Sequence, residues 1–354
     1  MRMKEYCLIA NLFVPDTKEN NLPVVVNIHG GGFQICYGNL NTYKNLIRSK
    51  RIIIETFNYR LGPFGFLCLG TKDAPGYAGM KDQVALLRWV NQNIAEFDGN
   101  PEDVTIDGYS AGSSSVDLLM LSESARGLFH KAIPESGAGI AAFSVQTDPK
   151  ANAMEYAKLL NYTGSGSVAD LEKYYKSLSY ELLVSVNKTK NPFQSIPIEA
   201  GHNQIYLYEF PFAHDQLDII PHTNIRRAGH CSQTNTVSDG SATFNYTNSK
   251  LIEMRNLTRS IWLNFITTGK PISEDSELPP WPPVGKNWSP HMSLDLPLSL
   301  RGSLLKERTH FWDEIYKEHY QQPIPPSTAP APRYVHIIHL MVYWRGLDVD
   351  LVTN

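Results

Sequence analysis

One short segment constrains the fold of this chain most strongly, because a strand, a glycine-rich turn and a helix follow one another there. Asp103–Asp107 alternates apolar and polar residues like a strand, and Ala111–Leu121 is an apolar, helical segment. Between them, Gly108–Gly112 reads Gly-Tyr-Ser-Ala-Gly. Glycines on both sides of a serine permit a sharp strand-to-helix turn that side chains would obstruct. The pattern predicts that Ser110 stands at the carboxyl end of a strand, with a helix N-terminus behind it.

The residues before this segment predict a parallel sheet. The apolar run Pro23–His29 ends at a glycine cluster and is typical of a buried strand, as is Arg51–Asn58. Lys81–Phe97 carries apolar residues at spacings of three and four, which predicts a helix that ends at the Gly-Asn-Pro sequence after it. Strands and helices that alternate at these lengths indicate an α/β fold with crossover helices.

The pattern loosens after about residue 145. A further strand is predicted at Gln204–Phe210. Three helices are predicted at Lys150–Asn161, Val168–Val186 and Leu251–Thr268. The proline-rich segment Pro323–Pro332 is typical of a polyproline linker. We therefore expect a domain over residues 1–320, a linker over 321–333 and a C-terminal tail without clear periodicity over 334–354.

Composition excludes several classes of protein. The 354 residues include 32 Lys and Arg against 35 Asp and Glu, and 42% are hydrophobic, so a large core is possible and nucleic acid is not expected as a partner. The four cysteines lie far apart, without zinc spacing. We expect no metal, no cofactor and no disulfide framework.

No signal sequence or membrane span is recognisable. The first twenty residues lack a long apolar stretch, and Tyr334–Trp344 is too short to span a bilayer. As written, the chain is predicted to be cytoplasmic, whereas a truncated N-terminus would allow secretion. Five sequons would then be open to glycosylation, at Asn161, Asn187, Asn245, Asn256 and Asn287.

A second motif supports a nucleophilic role for Ser110. His29-Gly30-Gly31-Gly32-Phe33 follows the first predicted strand and has the form of an oxyanion loop. The backbone N–H groups of Gly31, Gly32 and Ala111 would stabilise the negative oxygen that forms when Ser110 attacks a carbonyl carbon. His29 is expected to fix this loop through its ring rather than to transfer a proton.

Taken together, these motifs resemble the type-B carboxylesterases, the carboxylesterase/cholinesterase family of the α/β-hydrolase fold, and among them most closely the insect esterases. The resemblance runs from Glu5 to about Tyr316. It rests on EYCLIANLFVP, HGGGF, NYRLGPFGFL, KDQVALLRWVNQNIAEFDGNPEDVTIDGYSAGS, GLFHKAIPESGA, NLTRSIWLNFITTGKP, WPPV and KERTHFWDEIY. It implies a mostly parallel central sheet flanked by helices, with His230 of Ala228-Gly229-His230 as the catalytic base.

The same comparison implies that segments of the family are absent. The chain begins at the family's opening signature, and the family's acid loop is expected to be missing between Glu199 and Gln204. The catalytic acid is therefore unknown. Five other carboxylates could replace this acid, but they are expected to be surface charges: Glu199, Glu209, Asp215, Asp218 and Asp239. His230 is therefore expected to lack a well-placed acid.

Other residues receive structural interpretations from the resemblance. Arg60 and Asp82 are expected to form an ion pair under the site, and Ser136 to be a second, buried serine of the family. Cys7 is expected to be unpaired, because its family partner would lie in the absent N-terminal part. Cys231 is expected to be a packed thiol.

The resemblance predicts a serine hydrolase of small-molecule carboxylic esters, with an acyl-enzyme on Ser110. Two alternatives stay open. One is a non-catalytic, cholinesterase-like binding or adhesion protein, and the other is an inactive truncated isoform. The sequence does not identify the ester or the oligomeric state.

Overall fold

The apolar runs form a five-stranded sheet in the computed structural model of the chain. The structure describes residues 7–141, 143–185, 204–213, 228–239, 248–285, 289–304, 306–319 and residue 324. The strands lie in the order β1-β3-β2-β4-β5, and only β1 is antiparallel to its neighbour. Their bounds are β1 (Ala10–Phe13), β2 (Leu22–Ile28), β3 (Ile53–Phe57), β4 (Gly99–Tyr109) and β5 (Lys131–Glu135).

Helices cover both faces of this sheet. In chain order they are α1 (Lys44–Ile47), α2 (Gly62–Phe66), α3 (Ala78–Asn93), α4 (Ala111–Leu121), α5 (Pro149–Leu159), α6 (Val168–Ser177), α7 (Tyr180–Leu183), α8 (Thr234–Val237), α9 (Ser249–Thr268) and α10 (Lys306–His319). A second, three-stranded sheet consists of β6 (Leu207–Glu209), β7 (His291–Ser293) and β8 (Ser299–Arg301).

The central sheet separates two hydrophobic clusters. On one face, Val24 and Val26 of β2 pack with residues of α3, α4, α5 and α6 in a first cluster that spans residues 22–175. On the other face, Val25 of β2 and Ile54 of β3 pack with residues of α9 and β7 in a second cluster. Side chains of a strand alternate between faces, so β2 and β3 each contribute buried residues to both clusters.

One carboxyl side chain, that of Glu55, lies on the first-cluster face of β3. Glu55 follows Ile53 and precedes Phe57 on that face, and it is fully buried. Neither carboxyl oxygen has a hydrogen-bond partner among the described residues. Burial raises the pKa of Glu55 from 4.5 to about 7.

Most predicted elements are confirmed, with corrections to three of them. The helix predicted at Lys81–Phe97 is α3, which begins at Ala78 and ends at Asn93, and a 3-10 turn follows it over Ile94–Phe97. The strand β4 begins at Gly99 rather than Asp103, because Gly99 and its neighbours continue the pairing with β2 instead of only ending the preceding helix. The predicted helix Val168–Val186 is two helices, α6 and α7. Leu178 is extended, and the side chain of Ser179 caps the second helix by accepting from the Leu182 N–H.

The strand predicted at Gln204–Phe210 exists as β6, but it belongs to the small sheet. It pairs in parallel with β7, and β7 pairs with β8 in antiparallel. The linker over 321–333 and the tail over 334–354 lie outside the described residues, apart from Ile324. In the part of the chain that the structure describes, no helix has the length and apolar character needed to cross a membrane.

Candidate active site

Ser110 lies at the junction between β4 and α4, in a backbone conformation that side chains rarely adopt. Its φ is 57° and its ψ is −123°. The strained turn is held from both sides, because the Ser110 N–H donates to the carbonyl of Glu135 at 2.9 Å and the Ser114 N–H donates to the Ser110 carbonyl at 3.0 Å. Strain of this kind persists only where surrounding structure fixes it, and it is frequent at functional sites.

Glycines allow this turn to pack against β2. A methyl group on Gly112 would lie 2.0 Å from the carbonyl oxygen of Ile28, and one on Gly108 would lie 2.5 Å from the carbonyl oxygen of Gly112. Both distances are far below van der Waals contact. The two glycines of Gly-x-Ser-x-Gly are therefore required by backbone packing, as the sequence pattern predicts.

The predicted oxyanion loop passes directly beside Ser110. A methyl group on Gly30 would lie 2.9 Å from Ser110 Cβ. Gly31 and Gly32 have φ values of +106° and +60°, which favour glycine. Phe33 anchors the end of the loop, since its side chain is fully buried and its carbonyl accepts from the Gly62 N–H at 2.7 Å.

His29 fixes the loop rather than facing solvent. Its ring Nδ1 lies 2.8 Å from the Gly30 carbonyl, which can only accept, so this nitrogen carries the proton. The ring stacks on Tyr59 at 4.4 Å between centroids. Burial lowers the pKa of His29 to about 4, so the imidazole is neutral at neutral pH.

The structure brings His230 to Ser110. His230 Nε2 lies 2.9 Å from Ser110 Oγ, although 120 residues separate them in the chain. The histidine occupies a turn before α8, where the Ser232 side chain accepts from the Gly229 N–H at 2.8 Å. Partial burial lowers the pKa of His230 below its usual 6.5, which keeps the imidazole neutral and able to accept a proton.

Two buried carboxyl groups, neither of them among the predicted site residues, lie on the strands β4 and β5 that hold the Ser110 turn. Asp107 of β4 accepts from the Asn27 side chain at 2.6 Å, and Glu135 of β5 accepts from the Thr234 hydroxyl at 2.7 Å. Burial raises the pKa of each group, and their proximity raises that of Glu135 further. For Asp107 the available signal was an acidic residue inside a predicted strand, whereas the residues around Glu135 gave no comparable signal.

Two of the candidate acids lie among the described residues. Glu209 accepts from the Arg301 guanidinium at 2.7 Å and from the Ser293 hydroxyl at 3.1 Å within the small sheet. Asp239 accepts from Arg259 at 2.8 Å. The others, Glu199, Asp215 and Asp218, lie outside the described residues.

The remaining predicted residues have structural contacts. Arg60 and Asp82 form the expected ion pair, with Nη2 and Oδ1 2.6 Å apart. Ser136 is only partly buried, which corrects the expectation of a buried serine, because it lies in the turn that directly follows β5. The four cysteines, all among the described residues, form no disulfide bonds. Burial raises the pKa of the Cys231 thiol to about 12.

A small internal cavity of about 10 Å³ lies on the α9 side of the sheet. Its lining includes Asp107, Tyr43 and Trp262 but not Ser110. This volume suits one water molecule, not an ester. Within the described ranges, no cluster of His, Cys, Asp and Glu side chains could hold a metal ion.

This arrangement defines the chain as an α/β-hydrolase. A strained turn with Ser110 joins a strand to a helix, and the His230 imidazole lies within hydrogen-bond distance of the serine hydroxyl. The model of the carboxylesterase family matches residues 1–200 and 197–312. The chain therefore belongs to the carboxylesterase family.

Relatives and solved structures agree with this assignment. Mouse carboxylesterase 1D is 46% identical over 154 residues, which cover 42% of this chain and 27% of the relative. Juvenile hormone esterase of Heliothis virescens is 41% identical over 184 residues, which cover 50% of this chain and 32% of the relative. The matched parts thus span less than a third of these relatives.

The fold is also that of a solved esterase. The crystal structure of juvenile hormone esterase from Manduca sexta, with OTFP covalently attached, superposes with a TM-score of 0.76. The match covers 90% of this chain and 86% of that chain at 23% identity, which establishes a common fold.

Proposed function

We propose that this chain hydrolyses carboxylic esters of small molecules through an acyl-enzyme on Ser110. The observation that carries the proposal is the 2.9 Å distance between Ser110 Oγ and His230 Nε2, at a strained turn beside a glycine-rich loop. This is the distance at which an imidazole can take the proton of an attacking hydroxyl.

The chemistry proceeds in two steps. In the first, Ser110 Oγ bonds to the ester carbonyl carbon while His230 Nε2 takes the serine proton. The tetrahedral intermediate then collapses, the carbon–oxygen bond to the alcohol breaks, and His230 protonates the departing alkoxide. In the second step, water attacks the acyl-serine with His230 as base, which releases the acid and restores Ser110.

Backbone N–H groups are the proposed stabilisers of the oxyanion. Ala111 is the first residue of α4, where N–H groups lack partners within the helix. Gly31 and Gly32 lie in the loop beside Ser110, and a methyl group on Gly32 would meet no atom within 4 Å. Donors fixed at such a site typically contribute a factor of about 10² to 10³ each. No carboxylate is assigned as the catalytic acid.

The proposal is tested with Ser110→Ala and with Ser136→Ala as the matched control. Ser136 also has a positive φ, 58°, and lies close by in the turn after β5. With a short p-nitrophenyl ester, we expect Ser110→Ala to abolish hydrolysis and Ser136→Ala to retain it. Equal losses in both variants, or hydrolysis that survives Ser110→Ala, would show that Ser110 is not the nucleophile.

A further inference from the structure

Glu135 contacts both halves of the candidate site. Its backbone carbonyl accepts from the Ser110 N–H at 2.9 Å, which holds the strained turn. Its side-chain Oε2 accepts from the Thr234 hydroxyl at 2.7 Å. The residue is 3% exposed, so these contacts are shielded from water.

Thr234 is closely connected to His230. It is the first residue of α8, and its N–H donates to the carbonyl of Cys231 at 3.1 Å. In the same turn, the Ser232 N–H donates to the Gly229 carbonyl at 3.2 Å. These bonds close the chain around His230, so a displacement of Thr234 would be transmitted to the imidazole.

The Glu135 side chain acts as a hydrogen-bond acceptor rather than as a charge. Among the described residues, no Lys or Arg nitrogen lies within 4.0 Å of it. Burial and the nearby Asp107 raise its pKa well above the usual value, so the neutral acid is favoured. An amide of the same shape presents the same acceptor oxygen to Thr234.

We propose that Glu135 is a positioning residue, which sets the distance between Ser110 and His230 through its hydrogen bond to Thr234. This inference rests on the proposed function. A misplacement of about 1 Å between reacting groups can lower a rate by about 10²-fold, so one buried hydrogen bond at this position can control reactivity.

The experiment measures the rate constant with which a fluorophosphonate probe labels the full chain. In this reaction Ser110 Oγ bonds to phosphorus, fluoride leaves, and His230 takes the proton. Thr234→Val removes the donor and Glu135→Met removes the acceptor. We expect each to slow labelling about 10-fold, and the double variant to be no slower than Glu135→Met alone, because that variant already removes the bond between Glu135 and Thr234.

Two further variants separate positioning from general damage. Glu135→Gln keeps an acceptor and is expected to label within about threefold of wild type. Thr236→Val is the matched control, because Thr236 is also buried in α8 but donates to the Gln233 carbonyl at 2.7 Å instead of to β5. It should label like wild type. Urea midpoints report folding for every variant.

The outcomes distinguish this inference from the proposed function. If wild type does not label, Ser110 is not an activated serine and both are wrong. If wild type labels and Thr234→Val labels equally fast, only the inference is wrong. A loss in Glu135→Gln as large as that in Glu135→Met would also overturn it. Should Glu135→Met fail to fold, Thr234→Val, which exchanges one hydroxyl for a methyl group, decides the question.

Discussion

The buried carboxyl group of Glu55 should make the stability of this protein depend on pH. The side chain is fully buried on the first-cluster face of β3, and its oxygens have no hydrogen-bond partner among the described residues. Its pKa rises from 4.5 to about 7 because burial disfavours the charged form. The folded protein therefore binds this proton more tightly than the unfolded chain. The resulting stabilisation is complete below pH 4.5 and is lost as the pH rises through about 7.

The size of this effect follows from the two pKa values. Each tenfold change in proton affinity corresponds to about 1.36 kcal/mol, so the whole shift is worth about 3.4 kcal/mol. Between pH 5 and pH 8, the free energy of unfolding should fall by about 2.5 kcal/mol through Glu55 alone.

Urea titrations at pH 5, 6, 7 and 8 would measure this contribution in wild type and in Glu55→Gln. The amide cannot titrate, so other buried acids cancel in the comparison. We expect the wild-type stability to fall about 2.5 kcal/mol further than that of the variant over this range. Glu55→Leu, which is neutral and apolar, should be the more stable protein at pH 8. Parallel pH profiles for wild type and Glu55→Gln would refute the reasoning.

Three further outcomes are expected. Gly112→Ala should lower the free energy of unfolding by about 2 kcal/mol or more, because its methyl group would lie 2.0 Å from the Ile28 carbonyl oxygen. Gly302→Ala, which meets nothing within 4 Å, is its control and should change stability by less than about 1 kcal/mol in the same urea assay. Asn248→Ala should cost about 1 kcal/mol, because the Asn248 side chain accepts from the Leu251 N–H at the start of α9. The rate of fluorophosphonate labelling should rise with pH to a plateau. The midpoint of this rise should lie below pH 6.5, because burial lowers the pKa of His230. A midpoint above pH 6.5 would contradict this expectation.

The central sheet could be predicted from sequence because its signals are local. Apolar runs and helical spacing each lie within one element, and the Gly-x-Ser-x-Gly turn spans five consecutive residues. The elements β2, β3 and α4 are where these signals predict them, and β4 includes its predicted residues but starts earlier, at Gly99. The small sheet could not be predicted in this way. Its strands β6, β7 and β8 have three residues each, too few for periodicity, and their pairing joins parts of the chain that are far apart.

Only part of the candidate site could be predicted from local signals, because its residues come from distant parts of the chain. The motif predicted Ser110 from its neighbours, whereas His230 followed from resemblance alone. Their hydroxyl and imidazole lie 2.9 Å apart, and their catalytic roles remain predictions. Glu135 was missed because nothing in Lys131–Glu135 shows that its carboxyl is buried, and Pro134 weakens the strand pattern.

The division of the core by the central sheet has a consequence for how the proposed reactivity of Ser110 would be lost on unfolding. The first cluster is formed within residues 22–175, whereas the second depends on α9 and β7, which follow His230 in the chain. Proteins often open in cooperative units before they unfold globally. If the elements of the second cluster that follow His230 detached, His230 would move away from Ser110 while the first cluster stayed folded. Reactivity should then disappear at a lower denaturant concentration than most of the helical signal, and amide hydrogens of α9 should exchange before those of β2.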